Sequence, residues 1–375
     1  MVVLVDEYDS ALTKTIEEPD LQEIYREKLQ AFYSILKKGD RHIKFCFLTG
    51  VSRYGKVSIF SGLNNLKDIT FSDRYAGICG ITNEELRKYY LDGVSRLAEK
   101  EDLTAEETFA LLKENYDGYH FSKSMLDVYN PFSINNALSD LEIKDYWCQS
   151  GTPELLSKSL FNIDYDLESM IGMEVSENAL SNLSVYAINP LPLFYQTGYL
   201  TLKSYDREER LYTVGYPNRE VENGILQNVL EVYAPTSTDT FALASRMRKY
   251  LREGDPLKFI ESMKSFLDGI PSKLKQRVGK YENYYHTVFY CITSLLGLKT
   301  QVEHNTAEGF IDMLIETTGY IYLIEFKVNG TAGEALRQIE DRRYSAKFAT
   351  DSRTLFKIGI GFSKKTGTIG SFLIS

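Results

Sequence analysis

Phe310-Ile311-Asp312-Met313-Leu314-Ile315, then Glu316-Thr317-Thr318-Gly319, then Tyr320-Ile321-Tyr322-Leu323-Ile324-Glu325-Phe326-Lys327: the C-terminal fold is decided here. Two apolar runs of strand length flank a short polar segment ending in glycine, so a β-hairpin is expected. A tight turn puts Asp312 roughly opposite Leu323. Side chains alternate along a strand, so Glu325 and Lys327 share the face of Leu323 while Phe326 points the other way. Asp312, Glu325 and Lys327 are therefore expected on one surface, and a one-residue change of register would separate them.

Glu-x-Lys on a strand is often no more than a solvated ion pair, and an Asp in a hairpin is common. Here the pair closes the apolar run Ile321-Tyr322-Leu323-Ile324, where a solvated face would alternate. Two adjacent carboxylates are hard ligands suited to Mg²⁺ or Mn²⁺. Such an ion acidifies water and stabilises charge building on a phosphate. Lys327 is placed to position or activate that water, or to neutralise the same charge. A helical pattern from Ala332 to Tyr344 follows and carries Gln338 on a face that can reach the site. A second, from Glu282 to Leu298, precedes the hairpin, with Tyr285, Phe289, Ile292, Leu295 and Leu296 at helical spacing.

The run Glu308-Gly309-Phe310-Ile311-Asp312, then Tyr322 to Lys327, then Ala335-Leu336-Arg337-Gln338-Ile339 resembles the PD-(D/E)XK nuclease superfamily. More narrowly, it resembles the branch fused to an AAA-ATPase-like domain in many bacterial proteins. The resemblance implies a restriction-endonuclease-like α/β domain from about Tyr281 onward, hydrolysing nucleic-acid phosphodiesters, DNA first among them. It makes Asp312, Glu325 and Lys327 the core residues, with Gln338 as the polar residue of the following helix. Glu282 matches the acidic residue of the preceding helix and joins Asp312 and Glu325 as a metal ligand. The family's Gly-Arg before the Asp is replaced by Gly309-Phe310-Ile311, so the phosphate-facing Arg is missing.

At the other end, Val2-Val3-Leu4-Val5-Asp6-Glu7 has the form of a Walker B strand, delivering Asp6 to a magnesium ion and Glu7 to an attacking water. Any buried strand entering a loop could read so. The extended run Val5-Asp6-Glu7-Tyr8-Asp9 nevertheless resembles the AAA-ATPase-like family. So do Phe47-Leu48-Thr49-Gly50-Val51-Ser52, Phe60 to Leu66, Tyr116-Asp117-Gly118-Tyr119 and Tyr129-Asn130-Pro131. Strand, helix (about Asp20 to Lys38) and strand (Ile43 to Leu48) then form a βαβ unit of a partial P-loop-like parallel sheet. Gly50 to Ser58 fits G-x-x-x-x-G-K, but Val57 stands where Ser or Thr must hold the metal, and the segment follows the acidic strand. The resemblance instead places Thr49 or Ser52 near the phosphate in a vestigial nucleotide site with Asp6 and Glu7. The chain is expected to begin inside the ATPase-like domain, and without a phosphate cradle ATP binding is expected to be negligible.

Three segments are expected: 1–80, the partial ATPase-like core; 81–268, a mainly helical lid region with a strand pair at Tyr199–Leu202 and Arg210–Val214; and 281–375, the nuclease-like domain. Gly269 to Lys280 reads as the linker. At 375 residues the chain has room for several cores. No apolar run approaches a membrane span and no basic leader opens the sequence, so a cytoplasmic protein is expected. Four scattered cysteines form no C-x-x-C pair, which sets aside a disulfide framework or structural zinc. The net charge of -9 argues against indiscriminate coating of nucleic acid. From Pro271 onward, however, 14 Lys and Arg face 10 Asp and Glu, against 29 and 42 in the rest. The mildly basic end is thus the end with the metal-site motif. A rival reading, a catalytically silent regulatory or partner-binding protein, keeps both folds as relics.

Overall fold

The computed structural model describes the chain except for residues 16–17, 52–65, 150–167, 182–189, 235–238, 272–281, 307–308, 329 and 364–365. Backbone alone is described at 19, 148–149, 168, 232–233, 240–241, 282–286, 299–306 and 309–310. The fold is mixed α/β, in two compact units: Met1–Gly151 with Ser169–Glu222, and Thr152–Glu168 with Asn223–Ser375. Most of the expected linker and the Gly50–Ser58 pattern from Ser52 on lie outside the described residues.

In the first unit β1 (Val2–Val5) pairs in parallel with β2 (Phe45–Leu48), Val2 opposite Phe45 and Val5 opposite Leu48. The helix α1 (Pro19–Lys38) makes the crossover between them. Its apolar stripe, with Tyr25, Leu29, Tyr33 and Leu36, packs with Val5, Leu12 and Leu48. The sheet here has two strands, so the wider P-loop-like sheet is not seen among the described residues. A helical layer follows, in which Thr82 and Thr104 cap their helices through reciprocal bonds with Glu85 and Glu107. Its third long helix, α2 (Ala105–Tyr116), runs into the loop Asp117-Gly118-Tyr119-His120. The strand pair arrives as β3 (Thr201–Asp206) and β4 (Leu211–Gly215), antiparallel, with Glu174–Val175 on the outer edge of β4.

The aromatic loop is a structural joint. Gly118 has φ +91, and a Cβ there would sit 2.3 Å from the Pro217 carbonyl oxygen, so only glycine fits. Asn218 donates to the Asp117 carbonyl (2.9 Å), while the His120 ring nitrogens meet Leu202 O (2.6 Å) and Asp127 Oδ1 (2.7 Å). Burial raises the Asp117 carboxyl and lowers Lys203 close by. On α3 (Arg219–Tyr233), buried Glu220 accepts from Trp147 N–H (2.6 Å) and Ser133 Oγ (2.7 Å).

The second unit is built on a five-stranded sheet. In chain order its strands are β5 (Lys299–Thr306), β6 (Gly309–Glu316), β7 (Tyr320–Val328), β8 (Thr354–Ser363) and β9 (Thr368–Ile374). They lie side by side in that same order; β7 and β8 are parallel and every other neighbour is antiparallel. The parallel pair is joined by α7 (Ala332–Asp341), which forms a β-α-β crossover. One face carries Phe326 and Phe362, against which Phe289 of α6 (Glu282–Leu295) packs edge-on at 4.9 and 5.7 Å. Tyr322 points the same way and donates to Leu251 O (2.7 Å) at the end of α4 (Thr240–Glu253). The next helix, α5 (Pro256–Gly269), contributes buried Phe259, Ile260, Met263 and Phe266. The other face, with Leu314, Ile321 and Leu323, is covered by Leu336 and Ile339 of α7 and by Tyr344.

The hairpin register differs from the expected one. Leu323 faces Leu314 and Ile324 faces Met313, so the pairing is displaced by two residues from the Asp312–Leu323 opposition. The turn centres on Thr318-Gly319, closed by Thr317 N–H to Tyr320 O (2.9 Å) and Tyr320 N–H to Thr317 Oγ1 (2.9 Å). A displacement of two keeps every side chain on its face, so the convergence survives the correction. Strands β5 and β9 were not anticipated; β5, Lys299-Thr-Gln-Val-Glu-His-Asn-Thr306, has too few apolar residues to advertise itself.

Candidate functional site

The β6–β7 ladder ends at Met313 and Ile324. One step further Asp312 and Glu325 face each other, and their carboxylates span the parting strands. Asp312 Oδ2 accepts from Phe326 N–H at 2.6 Å, and Glu325 Oε2 accepts from Asp312 N–H at 3.4 Å, a long contact. Side chains thus satisfy backbone donors that the ladder no longer reaches. Lys327 Nζ lies 3.3 Å from Glu325 Oε1, its side chain one-third exposed while that of Glu325 is 1% exposed.

Burial, and then the neighbouring Asp312 carboxylate, pushes the Glu325 carboxyl up to about 7, against an opposing pull from Lys327. Asp312 and Glu325 thus bring two oxygen-donor groups into one site. That donor set fits a hard divalent cation better than a soft one. Among the described residues no cluster of three or more His, Cys, Asp or Glu is ready-made for a metal.

The expected residues are only partly brought together. Asp312, Glu325 and Lys327 share one face. Gln338 is half-buried on α7, which covers that face. Glu282 opens α6, which packs on the Phe326 side, and its side chain lies outside the described residues. What the sequence did not disclose is how α7 comes so close. A Cβ on Gly359 would lie 2.3 Å from Ala332 O and 2.7 Å from Leu336 N, and one on Gly361 2.7 Å from Gly330 O. Both glycines sit in β8 opposite Glu325 and Lys327. A Gly-x-Gly in a buried strand was the available signal.

At the N-terminal end, Asp6 and Thr49 stand at the same edge of β1 and β2. Thr49 Oγ1 donates to Asp6 Oδ1 at 2.5 Å, and Thr49 N–H donates to Val5 O at 2.8 Å. Glu7 follows in a left-handed conformation (φ 51), its N–H 3.1 Å from Asp6 Oδ1. Ser52 and Lys56 lie outside the described residues.

Comparison with known proteins agrees with this division. Residues 280–372 match the PD-(D/E)XK nuclease superfamily, and residues 1–60 match a predicted AAA-ATPase family. An uncharacterized protein in the vnfD 5′ region of Azotobacter chroococcum mcd 1 is 30% identical over 380 residues, covering 100% of this chain and 71% of that protein. No solved structure matches. Among the described residues no helix is long and apolar enough to cross a membrane.

Proposed function

We propose, on the premise that this chain belongs to the family of that Azotobacter protein, with an AAA-ATPase-like N-terminal segment and a C-terminal PD-(D/E)XK nuclease-superfamily domain, that it is a divalent-metal-dependent nuclease. The observation that carries the reading is the pair of Asp312 and Glu325 across the parting strands, with Lys327 beside them. Asp312 and Glu325 would hold a magnesium or manganese ion, and the chemistry such an ion supplies is stabilisation of charge on a phosphodiester and a more acidic water. Lys327 reaches from the buried carboxylate toward solvent, where its ammonium can donate to a phosphate oxygen or orient the attacking water. Gln338 is assigned to water or phosphate positioning from α7, and Glu282 would join Asp312 and Glu325 as a further ligand. The substrate is nucleic acid, DNA being the first to test.

Asp6, Glu7 and Thr49 are assigned to a vestigial nucleotide site; the Thr49 hydroxyl already occupies an Asp6 oxygen. Titration of the full chain with ATP should show negligible binding, and saturable binding lost in Lys56→Ala would overturn that assignment.

The deciding experiment is cleavage of single- and double-stranded DNA and RNA with magnesium or manganese, comparing wild type, Asp312→Ala and Lys327→Ala. Loss in both variants supports the reading. Equal activity in all three points to contamination. No cleavage and no metal binding by wild type favours the silent, partner-binding alternative.

A further inference from the structure

The site holds more than a pair of carboxylates. Both oxygens of Glu325 are engaged, Oε1 by Lys327 Nζ at 3.3 Å and Oε2 by Asp312 N–H at 3.4 Å. Its side chain is 1% exposed, so solvent does not front the carboxylate, whereas Lys327 is 32% exposed. On the reading of Asp312 and Glu325 as cation ligands, we infer that Lys327 is the resident counter-ion of this site, and that its ammonium must leave Glu325 before a divalent cation binds there.

The surroundings give the ammonium somewhere to go. A Cβ on Gly330 would lie 2.8 Å from Lys327 Cβ and 3.0 Å from Glu334 Oε2, so the chain doubles back beside the lysine stem. The Glu334 carboxylate, held low first by its hydrogen bonds to Thr331 and further by Arg337 and Lys327, stands on that side. A four-carbon stem moves a compact charge between two carboxylates without disturbing the strand. Electrostatics sets the direction of the competition: an ammonium and a divalent ion at one carboxylate repel, so each weakens the other. Lys327 thus has two opposed effects. It aids the reaction once displaced, and it lowers cation affinity while in place. The regulatory consequence is a site that loads at a higher metal concentration than its carboxylates alone would require.

The test is manganese binding to the full chain at pH 8.5, read by the loss of the free-ion electron paramagnetic resonance signal. Lys327→Met should bind about tenfold more tightly than wild type, the effect of removing one nearby unit charge in a partly solvated site. Lys327→Arg, which keeps the charge, should stay close to wild type, and Asp312→Ala should lose the site. Lys327→Gln repeats the charge removal with a polar side chain, and circular dichroism checks that each variant is folded. Equal or weaker manganese binding in both neutral variants, with wild type binding and Asp312→Ala not, overturns the counter-ion inference and leaves the metal site standing. Absence of binding in wild type and in every Lys327 variant removes the metal-site reading and this inference with it. Binding in Lys327→Met alone supports the inference in its strongest form.

Discussion

Replacing Glu325 by Gln should make the C-terminal unit more stable at alkaline pH, and the pH at which the gain appears follows from the structure. The Glu325 carboxyl is held near 7 by burial and by Asp312, whereas in the unfolded chain it returns to its ordinary 4.5. Between those values the folded chain keeps a proton that the unfolded chain releases. The folded state therefore binds more protons, and stability falls as pH rises through this window. Full ionisation costs about 3 kcal/mol at one pH unit per 1.36 kcal/mol, reduced to roughly 2 kcal/mol because the lysine partner is partly solvated. Gln does not titrate, so the difference between variant and wild type should be flat below pH 4.5, grow from there to about pH 7 and then level off. Thermal melts should show the variant gaining roughly 4–8 °C relative to wild type between pH 4.5 and 8.5, at 2–4 °C per kcal/mol. Magnesium at millimolar concentration should raise the wild type and leave the variant nearly unmoved, because the ion offsets the same charge. A variant-minus-wild-type difference that stays constant from pH 4.5 to 8.5 would refute the argument, since it would mean Glu325 is neither buried from water nor pressed by Asp312.

Gly359→Ala should cost about 3 kcal/mol, because its Cβ meets backbone atoms of α7 at 2.3 and 2.7 Å that cannot step aside singly; urea denaturation measures it, and a cost below about 1 kcal/mol would mean that α7 does not ride on β8. Arg353→Ala should cost roughly 1–3 kcal/mol, since its guanidinium holds Glu316 and Asp351 carboxylates (2.7 Å each) and the Thr317 carbonyl (3.1 Å). Faster amide exchange at Tyr320, with Ile324 still protected, would show that the loss lies at the turn.

Much of the candidate site was legible in the linear sequence. Period-two alternation puts Glu325 and Lys327 on one face whatever surrounds them, and an acidic residue on the preceding strand joins them if the register has the right parity. The βαβ opening came from a different rule: a parallel pair such as Val2–Val5 with Phe45–Leu48 needs a crossover, and the helical pattern between the two apolar runs supplies it. The strands β5 and β9 are the two edges of the sheet, and β5 has few apolar residues to mark it as a strand. Gly359 and Gly361 take their meaning only from α7, whose N-terminal backbone rests on them.

Tertiary structure alone decided the quantities that matter for chemistry. Absolute register is one: a turn closed by Thr317 and braced by Arg353, more than thirty residues away, moved the pairing by two positions. Burial is the other. Whether Glu-x-Lys is a solvated ion pair or a carboxylate pressed to near neutral pH depends on helices laid over both faces of the sheet, and on the strands parting at Asp312. A sequence fixes which side chains can meet, because covalent geometry sets the alternation. The dielectric they meet in belongs to the packed chain, because only packing removes the water.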